Sequence, residues 1–260
     1  MFTMPQPEDA EKWEGCPVVQ LSDTKQDLVR FLSALFDLGS TYFGSNHRLP
    51  FIDVSAFLRL GTKYGVDYLR QEAIKRLESV FPPQLQAFRN AYTDVALALK
   101  VHAGSETDKF PNPGLKVADQ DMFAIINLAS TFGLSAILPL VYYCCAQHDD
   151  DALVDGSVDE DGVHHQLSCV DLRRVLRGRA SLQDLRDRSL CSTKLGSLRD
   201  RRLKVMRFAK CLMEVEAVVS STSLCSSCKQ AYGETAGIVR GEAWNRLGDI
   251  FALEVEWPLS

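Results

Sequence analysis

Leu60-Gly61-Thr62-Lys63-Tyr64-Gly65-Val66-Asp67-Tyr68-Leu69 returns 68 residues later as Leu128-Ala129-Ser130-Thr131-Phe132-Gly133-Leu134-Ser135-Ala136-Ile137. Both copies run Leu, small residue, two variable positions, aromatic, Gly, aliphatic, two variable positions, aliphatic. The residues just before them match too, Phe57-Leu58 against Ile125-Ile126. The pattern predicts a helix whose apolar face ends at an aromatic, a Gly in a left-handed C-cap, and a second helix turning back. A helical hairpin cannot bury its own apolar stripe, so two of them predict stacked helical layers.

Working outward, helices are expected over 53–64 and 68–81, with Asp67 as the cap of the second and Pro82-Pro83 as its stop. The second hairpin is expected over about 119–147, with Pro139 in the first turn of its second helix. On the N-terminal side, Cys16-Pro17-Val18-Val19-Gln20-Leu21 reads as a single β-branched strand. Thr24 followed by Asp27 reads as a capping box. Leu28, Phe31, Leu32, Leu35 and Phe36 then form one apolar stripe at helical spacing. Gly39 to Pro50 reads as a loop. Helix is expected over Ala91–Val101 and a turn-rich loop over Gly104–Gly114. Beyond the second hairpin, Ser168 caps a helix over Val170–Arg177. Further helices are expected at 181–189 and 199–219. Gly233–Gly241 reads as loop-like or weakly helical, and Trp244–Leu253 as a last helix or turn.

At 260 residues, with 46% apolar and 24% charged residues, the chain has the make-up of an ordinary globular protein with a sizeable core. Its net charge of −5 argues against general nucleic-acid binding. The charge is uneven: Leu172 to Arg207 holds 12 Lys/Arg and 3 Asp/Glu, while His148 to Gly162 is strongly acidic. Two solvated faces are the expected outcome. The opening residues show neither a basic nor an apolar signal-peptide region, and eight Cys without such a signal predict reduced thiols in the cytoplasm or nucleus. Phe123 to Ala146 has no charge over 24 residues, yet Asn127, Ser130, Thr131, Gly133, Ser135 and Pro139 interrupt it. The internal repeat makes it a hairpin and not a membrane span.

Chemical motifs are sparse. Cys225-Ser226-Ser227-Cys228 has the spacing at which two thiolates reach one zinc ion, but a second pair at that spacing is missing. Cys211, Cys191 and His164-His165 could join it only through the fold. The acidic segment fails as a calcium loop: with Gly162 at the turn, Ser157 and Ser168 fall where Asp and Glu are required. It is expected to be a flexible solvated loop. The sequence contains neither a Gly-x-Ser-x-Gly elbow nor a Gly-x-x-x-x-Gly-Lys phosphate loop. The five His fall in expected loops or loop edges, and the basic stretch 172–207 lacks interleaved aromatics for base stacking. No catalytic set and no cofactor are expected.

The order strand, helix Lys25–Asp37, polar loop and hairpin Phe51–Phe81 resembles the C-terminal half of a BTB/POZ domain. The wording is similar to the fungal family of BTB-domain proteins. It is carried by Glu14-Gly15-Cys16-Pro17-Val18-Val19-Gln20-Leu21, Phe31-Leu32-Ser33-Ala34-Leu35-Phe36-Asp37, Leu49-Pro50-Phe51 and Phe57 through Val66. Ala124 through Ala129, Ile137-Leu138-Pro139 and Leu172 through Arg179 extend it downstream. The resemblance implies a mainly α fold: a partial BTB/POZ domain over 1–83, then a helical extension over 84–260 that includes the acidic loop 148–162. The β-hairpin and first helix that open such domains do not precede Met1, so the chain reads as a truncated or a natural short form. Those elements carry much of the dimer contact in the family, which removes the usual basis for self-association. What the resemblance implies is a non-enzymatic protein–protein interaction module, an intracellular adaptor binding other proteins, in some members a cullin-type ubiquitin ligase. The alternative is a zinc-stabilised structural or nucleic-acid-binding protein that uses Cys225, Cys228 and the Arg-rich 172–207 segment.

Overall fold

The computed structural model describes residues 11–36, 48–90, 114–192, 212 and 225–258; for 186–192, 228 and 232 it describes the backbone. The fold is mainly helical. Its strands, among the described residues, are two-residue pairings between loops.

Both repeats are helical hairpins. The first consists of α2 (Phe51–Tyr64) and α3 (Asp67–Val80). Gly65 sits at φ 68° and ψ 33°, and the Val66 N–H donates to the Gly61 carbonyl at 2.8 Å. The second consists of α4 (Asp121–Phe132) and α5 (Leu138–Cys145). Gly133 sits at φ 68° and ψ 31°, and the Leu134 N–H donates to the Ala129 carbonyl at 2.9 Å. The same six-residue closure thus satisfies an orphan carbonyl at both helix ends.

The return arms differ. α3 starts two residues past its glycine, whereas residues 134–137 first make a turn, with Ile137 N–H donating to Leu134 O at 3.3 Å. Helix α5 starts only at Leu138, which puts Pro139 in its first turn, where a missing N–H costs nothing. Asp67 is the first residue of α3 and not its cap: Val66 holds the cap position, without a side-chain bond. Leu69, Ala73, Leu77 and Val80 form the buried face of α3, as their spacing predicts.

Helix α1 (Lys25–Phe36) packs on α2. Thr24 Oγ1 accepts the Asp27 N–H at 3.2 Å, which is half of the expected capping box; the Asp27 carboxylate turns away to Arg59. Phe31 and Ala34 face inward, and Phe31 meets the Tyr64 ring at 5.9 Å. The stripe also contributes exposed residues: Leu32 and Phe36, with Val29, lie on the outer side, Phe36 at 83% exposure.

Several expectations are overturned. The strand at 16–21 is only β2 (Cys16–Pro17), paired antiparallel with β1 (Lys12–Trp13). The turn between them needs positive φ at Glu14 (49°) and Gly15 (80°), so a tight hairpin uses up the run before Val18. Leu49-Pro50 is no loop: as β3 (Leu49–Pro50) it pairs in parallel with β4 (Leu115–Lys116). Leu49 and Leu115 are buried there. Arg76, itself buried, donates to the Gly114 carbonyl and to Glu72. The expectations at 91–101 and, apart from Leu212, at 199–219 lie outside the described residues, as does most of 39–50 and of 104–114.

The acidic segment is ordered, not a flexible loop. Asp149 Oδ1 accepts the Ala152 N–H at 2.9 Å and caps α6 (Asp150–Asp155). Strands β5 (Ser157–Val158) and β6 (His164–His165) then form an antiparallel hairpin. Asp159 Oδ1 folds its turn by accepting the N–H groups of Asp161 at 3.0 Å and Val163 at 2.8 Å. Acidic residues write a turn here because their carboxylates replace backbone acceptors.

Ser168 does cap, accepting the Asp171 N–H at 3.1 Å, but α7 (Cys169–Ser192) runs unbroken where two helices were expected. Gly178 marks a close approach and not a break. A Cβ there would lie 2.1 Å from the Phe251 ring. Gly233 to Gly241 likewise lies within α8 (Ser226–Asn245), followed by α9 (Leu247–Ile250). One apolar cluster runs from Phe31 through both hairpins to Phe251. At its C-terminal end the Phe88, Trp244 and Trp257 rings meet in sequence at tilted angles, with centroids 5.7 and 5.1 Å apart, and Trp257 Nε1 donates to Trp244 O at 2.6 Å.

Candidate functional site

A groove of about 440 Å³ runs between the two hairpins. Ile52, Ser55 and Arg59 of α2 line it at helical spacing; Asp121, Ala124, Leu128 and Thr131 of α4 do the same opposite. The walls come from the first helix of each repeat, so the arrangement that the repeat encodes also shapes the cleft. Its buried apolar lining comes from Ile52, Ala124 and Leu128, and the exposed Val163 adds an apolar edge.

The acidic hairpin closes the end where α2 and α4 begin. Arg30 of α1 donates to both Asp161 oxygens, at 2.6 and 2.9 Å, and through Nε to Asp53 at 3.0 Å. One guanidinium therefore ties α1, the start of α2 and the β5–β6 turn. All three side chains are about four-fifths shielded from solvent (20%, 17% and 18% exposed). Ser157 Oγ donates to Gln120 O at 2.6 Å, and Asn127 Nδ2 donates to Gln166 O at 3.0 Å, which fixes the hairpin to α4. Arg30 holds the Asp161 carboxyl below its ordinary value. The Asp53 carboxyl moves the other way, because burial outweighs the same guanidinium.

Arg59 grips both Asp27 oxygens, at 2.8 and 2.9 Å, from the middle of the groove. His165 Nε2 lies 2.8 Å from Asp159 Oδ2. Asp121 is the groove's most perturbed acid. Burial pushes its pKa up to about 6, against the Ala118 N–H it accepts at 2.7 Å; Glu160 and Asp159 push the same way and His165 opposes them.

The hydroxyls around the groove serve local structure. Thr24 Oγ1 caps α1, Thr131 Oγ1 donates to Asn127 O at 2.8 Å, and Ser55 Oγ accepts from Arg59. Thr131 thus gives its proton to a backbone carbonyl, while the Thr24 and Ser55 oxygens act as acceptors. What the groove offers is shape, apolar surface and negative charge.

The chemistry weighed from sequence lies elsewhere. Cys225 is exposed in the N-cap position of α8, and Cys228 lies one turn on in the same helix. His164 and His165 are in β6, His164 Nε2 being 2.7 Å from Asp155 O. Among the described residues, no cluster of three His, Cys, Asp or Glu side chains could hold a metal ion. Cys145 is buried and its thiol is pushed up by burial, so it is a core hydrophobe in effect. No helix of the described residues is long and apolar enough to cross a membrane, and Phe123–Ala146 divides at Gly133.

The basic segment partly meets the acidic one, where two solvated faces were expected. Arg179 of α7 donates to Asp150, to His148 O and, at 3.2 Å, to Ala146 O. Arg174 donates to Asp171 at 3.2 Å.

The groove residues were not legible as a site. Arg59 and Asp27 stand 32 positions apart, Arg30 and Asp161 131 apart. The only local signals were the Thr24–Asp27 cap pattern and the repeated sequence pattern shared by α2 and α4. Compared with known proteins, the chain matches no family model, no curated protein and no solved structure.

Proposed function

We propose that this chain is a non-enzymatic protein-interaction module acting inside the cell, and that its docking site is the groove between α2 and α4. The single observation that carries the reading is that groove: an apolar lining framed by two helices, with its hydroxyls engaged in local structure. Grooves between helices are filled by apolar anchors of a partner, and such anchors dominate affinity. The resemblance to BTB/POZ proteins supports the adaptor role, with a cullin-type ligase as one scaffold that such an adaptor serves.

Site-directed photo-crosslinking in the native cell tests the reading. A photoreactive residue in place of Thr131, on the exposed groove rim, is expected to give discrete protein adducts. The same residue in place of Ile238, exposed on α8, is the control. An absence of adducts at Thr131, or the same pattern at both positions, would overturn the assignment.

A further inference from the structure

The geometry points to a particular occupant for the groove. We infer that it receives a short segment of a partner protein that presents an aliphatic or aromatic side chain next to a Lys or Arg. The inference rests on the docking reading above and adds the chemistry of the partner.

Size sets the first limit. At about 440 Å³ the groove lies within the range of about 300–1,000 Å³ typical of ligand pockets. It therefore takes a few side chains of a partner and not a folded domain. Its apolar lining of Ile52, Ala124 and Leu128, edged by Val163, rewards an apolar group.

Charge sets the second. Asp27, Asp121, Asp159 and Asp161 line the groove, against Arg59 and His165. Arg59 is spent on Asp27, and Arg30 holds Asp161 from outside the lining. Carboxylates outnumber guanidiniums even with Arg30 counted. A cation placed beside Asp121 would meet a half-buried acid whose own bond is to a backbone N–H at 2.7 Å. An acidic segment in the same place would face Asp121, Asp159 and Glu160 together, a repulsion that selects against it. The groove therefore discriminates by sign as well as by shape.

The test is a random-peptide display library panned against the full chain, followed by fluorescence anisotropy of the enriched peptides. The expected result is enrichment of an apolar residue adjacent to Lys or Arg, with binding that weakens as salt rises. Asp121→Asn is expected to weaken it by about tenfold, and so is Thr131→Arg, which places a cation on an exposed rim position. Thermal unfolding of both variants confirms that they fold; Thr131, being exposed, carries the test if Asp121→Asn does not. Enrichment of acidic or uncharged peptides, no enrichment, or affinity unchanged in both variants would overturn the inference. Groove-specific adducts at Thr131 together with acidic enriched peptides would leave the docking site standing and remove only the partner chemistry. No adducts at Thr131 would remove the docking site itself.

Discussion

Asp121 shows how one residue trades stability for a usable charge. Its carboxyl is raised from 3.8 to about 6, chiefly by burial. The folded state therefore holds the proton to a higher pH than the unfolded chain does. The sign follows: stability falls as pH rises from about 4 through about 6, and the cost is fully present above that. At about 1.4 kcal/mol per unit the ceiling is about 3 kcal/mol. The Ala118 N–H and the start of α4 both favour the charged carboxylate, and this net shift already includes their opposition. Burial wins. Asp121→Asn keeps an acceptor for the Ala118 N–H and removes the charge. It is expected to raise the melting temperature by a few degrees at about pH 8 and to change it little at about pH 4, at about 2–4 °C per kcal/mol. Thermal unfolding at the two pH values checks this, and a gain of equal size at both would contradict the burial account. A residue that destabilises its own fold at neutral pH while facing a groove fits a role in binding, since a bound cation would restore what burial removes.

At the scale of elements, the two hairpins make a sharper comparison. Gly65 and Gly133 share φ 68°, and a Cβ at either would meet nothing within 4 Å. Alanine at each position therefore costs backbone strain alone, about 1–2 kcal/mol. Denaturant unfolding of Gly65→Ala, Gly133→Ala and the double variant is expected to give two similar losses that add. A neutral result at either site would mean that its turn does not depend on the left-handed cap. The hairpins were legible because their signal is local: a chirality constraint at one glycine and a period of apolar residues on either side. The start of α5 was not legible, because Leu134 to Ile137 makes a turn of its own before Pro139 allows a helix. The unbroken α7, with Gly178 inside it, was not legible for a related reason. A glycine inside a helical pattern signals either a break or a close neighbour, and the neighbour is Phe251, 73 positions away in the chain. Two-residue pairings such as β3 with β4 are too short to show any alternation.

Across the whole molecule, the acidic segment is where composition and structure part most widely. Its net charge and small residues read as solvated loop, yet three long-range devices hold it down: Arg30 on Asp161, Ser157 on Gln120 O, and Arg179 on Asp150. Each joins residues too distant in the chain for any local pattern to pair. Arg30 bears most of this load, because it makes charge-assisted bonds to two carboxylates at once in a mostly shielded setting. Arg30→Ala removes these bonds and leaves Asp53 half-buried without its cation, for an expected loss of about 2–4 kcal/mol. The loss should fall unevenly. Amides of β5 and β6 are expected to exchange hydrogen at least about tenfold faster, while those of α8 and α9 stay near their original rates. Hydrogen exchange read by mass spectrometry resolves the two regions. Uniform acceleration across the chain would show that Arg30 supports the global core, whereas unchanged exchange at 157–165 would show that the hairpin stays docked without it. The intermediate outcome, release of the hairpin alone, would open the end of the groove where α2 and α4 begin and remove Asp159 and Asp161 from its lining. Affinity for a basic segment should then drop together with the local protection, because the same guanidinium holds both the wall and its charge in place.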